Sequence, residues 1–135
     1  MDFLELTFPG GHKTKSSYRG FEIETDYPKY LGGNESAPAP WHLFLASLAS
    51  CQGIHIRNYC AEYDLPYEEI KIVLEPIVSE NDPNWFTDFN LEVSLPKGFP
   101  KEHIEPMLDA AKSCRVVKHL CVHPVRVNIK AVERE

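Results

Sequence analysis

Trp41-His42-Leu43-Phe44-Leu45-Ala46-Ser47-Leu48-Ala49-Ser50-Cys51 is the stretch that decides the architecture of this chain. Pro40 stands just before it, where a missing N–H breaks no helical bond, and the next proline is Pro66, so the spacing predicts one helix over residues 41–63. The first half of that helix is apolar or small nearly all round rather than along one stripe, which predicts a long buried central helix. Ala46, Ser47, Ala49, Ser50 and Gly53 let another backbone come close, while Arg57, Glu62 and Asp64 mark the end that reaches water.

The flanking sequence reads as antiparallel hairpins. Residues 3–8 alternate apolar with polar and stop at Pro9-Gly10-Gly11; a polar strand over 12–18 then turns at Arg19-Gly20 into the clean alternation of Phe21-Glu22-Ile23-Glu24-Thr25. A breaker-rich loop, Gly32-Gly33-Asn34-Glu35-Ser36-Ala37-Pro38-Ala39-Pro40, delivers the chain to the helix. Beyond it, strands over 69–78 and 86–95 flank turn residues 80–84, a helix follows Pro100 over 101–113, a short helical turn covers 114–119, and a last strand over 125–132 is expected to close the sheet. The order is an α+β pattern with antiparallel sheets, and 135 residues with 43% apolar and 25% charged content suit one domain, 1–135. A second copy is the natural means of covering a helix that one small sheet cannot bury.

A net charge of −6, with 20 acidic against 14 basic residues, removes the electrostatic basis for nucleic-acid binding. The longest apolar run is too short to span a bilayer and Met1-Asp2 lacks a basic leader start, so a cytoplasmic protein without membrane partners is expected. The four cysteines, Cys51, Cys60, Cys114 and Cys121, then read as thiols. Cys51, in the middle of an apolar helix, has the setting of an inert buried residue, and for it to react a cation or hydrogen-bond donor must be brought to it, because the thiolate is the nucleophile. On local sequence Cys114 is the better candidate for a low-pKa thiol, with Lys112, Arg115, Lys118 and His119 around it, although such bases commonly just solvate a helix face. Cys51 and His55, and the cluster Cys114, His119, Cys121 and His123, offer zinc-type donors, but their spacings match no standard zinc unit; no metal and no cofactor are expected.

The block from Gly32-Gly33 through Ala37-Pro38-Ala39-Pro40-Trp41 to Cys51, with the later Ala110-Ala111-Lys112-Ser113-Cys114-Arg115-Val116-Val117-Lys118-His119-Leu120, resembles the two-cysteine signature of the OsmC/Ohr family. The resemblance covers the element order of nearly the whole chain. It implies an intertwined homodimer with active sites at the subunit interface, a part in the oxidative stress response, and a thiol peroxidase in which Cys51 attacks an organic or inorganic hydroperoxide and Cys114 resolves the sulfenic acid, a thiol reductant completing the cycle. The sequence departs from the peroxidase members of that family in one respect. Trp41-His42 stands where they carry a glutamate before the first cysteine, and their N-terminal arginine has no clear counterpart: His12 and Lys13 fall nearest by register and Arg19 lies in the predicted turn. Either Lys13 and His42 take over the task of lowering the Cys51 pKa, or the protein is a non-catalytic dimer of this fold that binds a small apolar ligand at the interface pocket.

Overall fold

The structure, a computed structural model, describes residues 3–134 and separates into two compact units that divide within the long helix, after Ala46. In the first, strands β1 (Glu5–Gly10), β2 (Lys13–Tyr18) and β3 (Phe21–Thr25) form the expected antiparallel meander in the order β1-β2-β3. The β2–β3 connection is a two-residue turn: Tyr18 pairs with Phe21, and Arg19 and Gly20 both have positive φ, at 49° and 83°. That is the primed geometry whose twist matches the strands it joins. β1 begins two residues later than its alternation suggested and runs to Gly10, with an irregularity in the register between Thr7 and Gly10.

The breaker-rich loop is organised by Asp26, which is 1% exposed. Its carboxylate accepts the backbone N–H groups of Tyr27 (2.7 Å), Asn34 (3.3 Å) and Ser36 (3.1 Å) and the Ser36 hydroxyl (2.6 Å). Four donors on one carboxylate close the loop upon itself. Gly33 is demanded at its tightest point, since a Cβ there would lie 1.9 Å from the Tyr27 carbonyl oxygen.

Helix α1 (Pro40–Glu62) matches the predicted span closely. In the second unit, β4 (Lys71–Val78) and β5 (Phe86–Ser94) form the second hairpin, with Ile72 opposite Val93 and Leu74 opposite Leu91 on the inward face. The helix expected over 101–113 begins as a 3-10 turn at Lys101–His103 and becomes α2 (Ile104–Lys112); α3 (Arg115–Val117) follows and continues into a π-helical turn at Lys118–Val122. The core of this unit gathers Ile56 and Cys60 of α1, Phe99, and Met107 and Ala111 of α2, with Ile72, Val93 and Leu95 packed against them. Ile56 and Cys60 are four apart and face one way, so α1 buries a single stripe here.

Two expectations fail within one chain. The helix is not buried all round: Leu48, Ile56 and Cys60 are its only buried residues, and Ile54 is 59% exposed. Residues 125–132 form no strand and close no sheet; the chain is irregular from 124 onward and Ile129 is 92% exposed. The reason is common to both. An apolar face or an alternating segment states that a partner surface is wanted, but a strand exists only where another edge accepts its hydrogen bonds. β4 and β5 pair only with each other among the described residues.

The Asp26 carboxyl is held at about 2 against an ordinary 3.8, chiefly by the Ser36 hydroxyl bond and further by the three N–H donors. A carboxyl whose folded-state pKa is depressed contributes stability that is complete above its unfolded value and is lost as pH falls through its folded value. Thermal stability should therefore decline between pH 3.8 and about 2. Asp26→Asn should lower the melting temperature at neutral pH and make the acid slope shallower; an unchanged slope in melting curves of the variant would refute this role.

Candidate functional site

Cys51 sits midway along α1 and is half-buried, so its thiol is neither sealed in the core nor fully open. Cys114 is fully buried at the junction of α2 and α3. Its own N–H donates to the Ala111 carbonyl (3.2 Å) and its carbonyl accepts the Lys118 N–H (3.0 Å), while φ −56° and ψ 130° swing the chain from one helix into the next. The first amides of α3 are left without helical partners by this turn, as at any helix start. They face Cys51.

The consequence is a division of labour between the two thiols. The Cys51 pKa is lowered, first by a hydrogen bond from the Cys114 thiol, then by the backbone N–H groups of Val116 and Arg115 and by the charge of the Arg115 guanidinium, against an opposing effect of burial. The Cys114 pKa is raised, first by burial and then by serving as donor to Cys51, despite the N–H groups of Val117 and Val116. Cys51 is therefore the thiol that ionises first and Cys114 the one that keeps its proton. Local sequence suggested the reverse, because the bases around Cys114 are near it along the chain; in space Arg115 acts on Cys51. The remaining cysteines are dispersed. Cys60 is buried against the Met107 sulfur (3.7 Å) with its pKa raised by burial, and Cys121 is exposed.

Lys13 and His42 belong to the first unit. Lys13 opens β2 and is half-buried. His42 is exposed in the first turn of α1, where it lines a cleft of about 380 Å³ with Tyr27, Tyr30, Leu31, Pro40 and Trp41. The ring of His12 stacks on Tyr27 at 5.7 Å, and Trp41 stacks on Phe44 at 5.1 Å. The stabilisation of the Cys51 thiolate comes from residues 114–116, a contribution of the α3 amides that sequence reading missed because only tertiary packing points them at α1. Among the described residues no three His, Cys, Asp or Glu side chains converge to hold a metal, and no helix is long and apolar enough to cross a membrane.

A helix-carried thiol facing a second thiol at a helix junction, with antiparallel hairpins on either side in sequence, defines a two-cysteine α+β protein. The chain belongs to the OsmC-like protein family, whose profile matches residues 32–130. Its fold is that of a Psychrobacter arcticus protein provisionally described as an osmotic stress induced and detoxification response protein, at 20% identity and a TM-score of 0.74, covering 91% of this chain and 90% of that one. An OsmC-like protein of Mycoplasma pneumoniae is similar at 16% identity and a TM-score of 0.68, over 89% and 86% of the two chains. An organic hydroperoxide resistance protein of Elizabethkingia anophelis aligns at 25% identity and a TM-score of 0.53, over 90% and 88%. No curated protein matches the sequence.

Replacing Cys114 by alanine removes the leading donor to Cys51 while leaving the α3 amides in place. Alkylation of Cys51 by iodoacetamide at pH 7, followed by peptide mass mapping, should slow by about threefold to tenfold as its pKa rises. An unaltered pH–rate profile would show that the Cys114 thiol is not what holds Cys51 ionised.

Proposed function

We propose that the protein is a thiol peroxidase that reduces organic or inorganic hydroperoxides at Cys51. The feature that carries this reading is the opposite bias of two neighbouring thiols: the half-buried Cys51 has its pKa lowered by the Cys114 thiol, the Val116 and Arg115 amides and the Arg115 charge, while the buried Cys114 has its own raised, which favours a nucleophile beside a protonated resolving partner. The Cys51 thiolate attacks the outer oxygen of ROOH, the O–O bond breaks, and the leaving alkoxide takes a proton to give ROH. Cys114 then attacks the Cys51 sulfenic acid, expelling water and forming the disulfide. Two thiols are oxidised and one peroxide is reduced, so each turnover needs a dithiol or two monothiols to restore the pair. Membership of the OsmC-like family and similarity to a protein named for organic hydroperoxide resistance support the assignment. The Arg115 guanidinium and the α3 amides join Lys13 and His42, the sequence candidates, in the proposed task of lowering the Cys51 pKa.

After one equivalent of cumene hydroperoxide the protein mass should fall by two hydrogens, and Cys51→Ser should abolish peroxide consumption. Cys114→Ser should leave a dimedone-reactive sulfenic acid at Cys51. Both thiols remaining free under turnover conditions would end the peroxidase assignment. The second reading, a non-catalytic protein that binds a small apolar ligand, is favoured by the aromatic cleft beside His42. It predicts an ordinary thiol pKa of about 8.5 for both cysteines.

We also propose a homodimer. Leu6, Ser16 and Ile23 lie in line across the meander, and with Tyr18 and Phe21 they give it an uncovered apolar face; Phe21 is 73% exposed. Val125, Val127 and Ile129 alternate along an unpaired segment. A second copy supplies both the missing apolar surface and the missing strand edge. Sedimentation should give twice the chain mass at micromolar concentration, and Phe21→Asp with Ile129→Lys should shift it to the monomer. A wild-type protein that sediments as a monomer would reject this.

A further inference from the structure

Beside the thiol pair lies a pocket of about 420 Å³ lined by His55, Ser113, Arg115, Lys118 and His119. His55 is one helical turn beyond Cys51 on the same face of α1, and Ser113 and Arg115 flank Cys114. The charge of this pocket runs against that of the protein. Acidic residues outnumber basic ones in the chain by 20 to 14, yet the pocket wall holds a guanidinium, an ammonium and two imidazoles and no carboxylate. Among the described residues neither Arg115 nor Lys118 forms an ion pair, whereas the neighbouring Lys112 is engaged by Asp109 at 3.5 Å. His119 is fixed by its Nδ1, 2.7 Å from the Arg115 carbonyl oxygen. A carbonyl only accepts, so Nδ1 carries the proton, and this bond fixes the orientation of the ring in the pocket wall.

We infer that this pocket binds the carboxylate group of a small organic anion and holds it next to Cys51. Two unpaired cations at one concave site attract an anion from an otherwise acidic surface. The donors are side chains headed by the planar Arg115 fork, which matches a carboxylate with two parallel N–H bonds. The backbone amides that phosphate sites draw on at helix starts are directed here to Cys51 instead. The volume exceeds that of a lone ion and admits a short carbon chain, within the size range of ligand sites. Arg115 is shared between the pocket and the thiol, so an anion seated there also reaches the groups that react at Cys51. The inference extends the proposed thiol chemistry by naming the class of molecule the site selects, and it is tested without peroxide.

Iodoacetate and iodoacetamide alkylate the same sulfur and differ in the carboxylate. The ratio of their rates at Cys51 should exceed the ratio at the exposed Cys121 in the same molecule by about tenfold at low ionic strength, the lower end of electrostatic steering, and should fall with added salt. Arg115→Gln with Lys118→Gln should bring the Cys51 ratio down to that of Cys121, and Arg115→Lys, which keeps the charge but not the fork, should fall between. The iodoacetamide rate alone reports whether Cys51 is nucleophilic, so loss of thiol reactivity is distinguishable from loss of anion selection. For a sulfur that proves inert to both reagents, titration with sodium hexanoate reads the site directly: the imidazole NMR signals of His55 and His119 should shift in the wild type and stay fixed in the double variant. Equal rate ratios at Cys51 and Cys121, immobile imidazole signals, or a response to inorganic phosphate but not to hexanoate would each overturn the assignment.

Discussion

The packing of α2 on α1 is the contact from which the rest of the site follows. Met107 has no exposure and meets the sulfur of the equally buried Cys60, with Ile56, Phe99 and Ala111 completing the cluster. Two flexible or small sulfur side chains fill such a junction without demanding one exact shape, and their burial supplies the apolar contact that fixes one helix against the other. Tyr59 reinforces the same seam from α1, its hydroxyl 2.8 Å from Nδ1 of His103 just before α2. With α2 anchored, the chain reaches Cys114 at a defined height along α1, and the turn there presents the α3 amides to Cys51.

The electrostatics of the site are built from groups of modest individual strength. A thiol in an apolar helix has no reason to ionise, and burial by itself works against it. One thiol donor, two amides and one guanidinium outweigh that penalty at Cys51, and the act of donating fixes Cys114 in its protonated form. The asymmetry of the pair therefore comes from which sulfur faces the amides. Composition near each cysteine is a poor guide to this, because a base beside a thiol in sequence projects from the helix in its own direction. Arg115 is adjacent to Cys114 along the chain and serves Cys51 in space.

Much of the fold was legible in the residues. The positive-φ turn at Arg19-Gly20, the limits of α1 set by Pro40 and the polar end beyond Cys60, and the register of the β4–β5 hairpin all follow from local preference and alternation. The expectation that Cys51 and Cys114 work together came from a family resemblance rather than from spacing. Asp26 was not singled out, although an aspartate before a glycine-rich, serine-containing loop is the usual material of such a side-chain-closed turn.

What the sequence by itself determined was the elements up to the last helical turn and the order in which they come, because helix and strand periodicity, proline placement and turn chemistry act over a few residues. It also determined which faces are apolar, including the alternation of Val125, Val127 and Ile129. The tertiary structure alone decided which thiol has its pKa lowered, where the cations gather, and that this last alternating segment finds no edge among the described residues. Each of these depends on groups brought together from distant positions, and a hydrogen bond or a Coulomb interaction acts over a few ångströms of space whatever the number of residues between its partners.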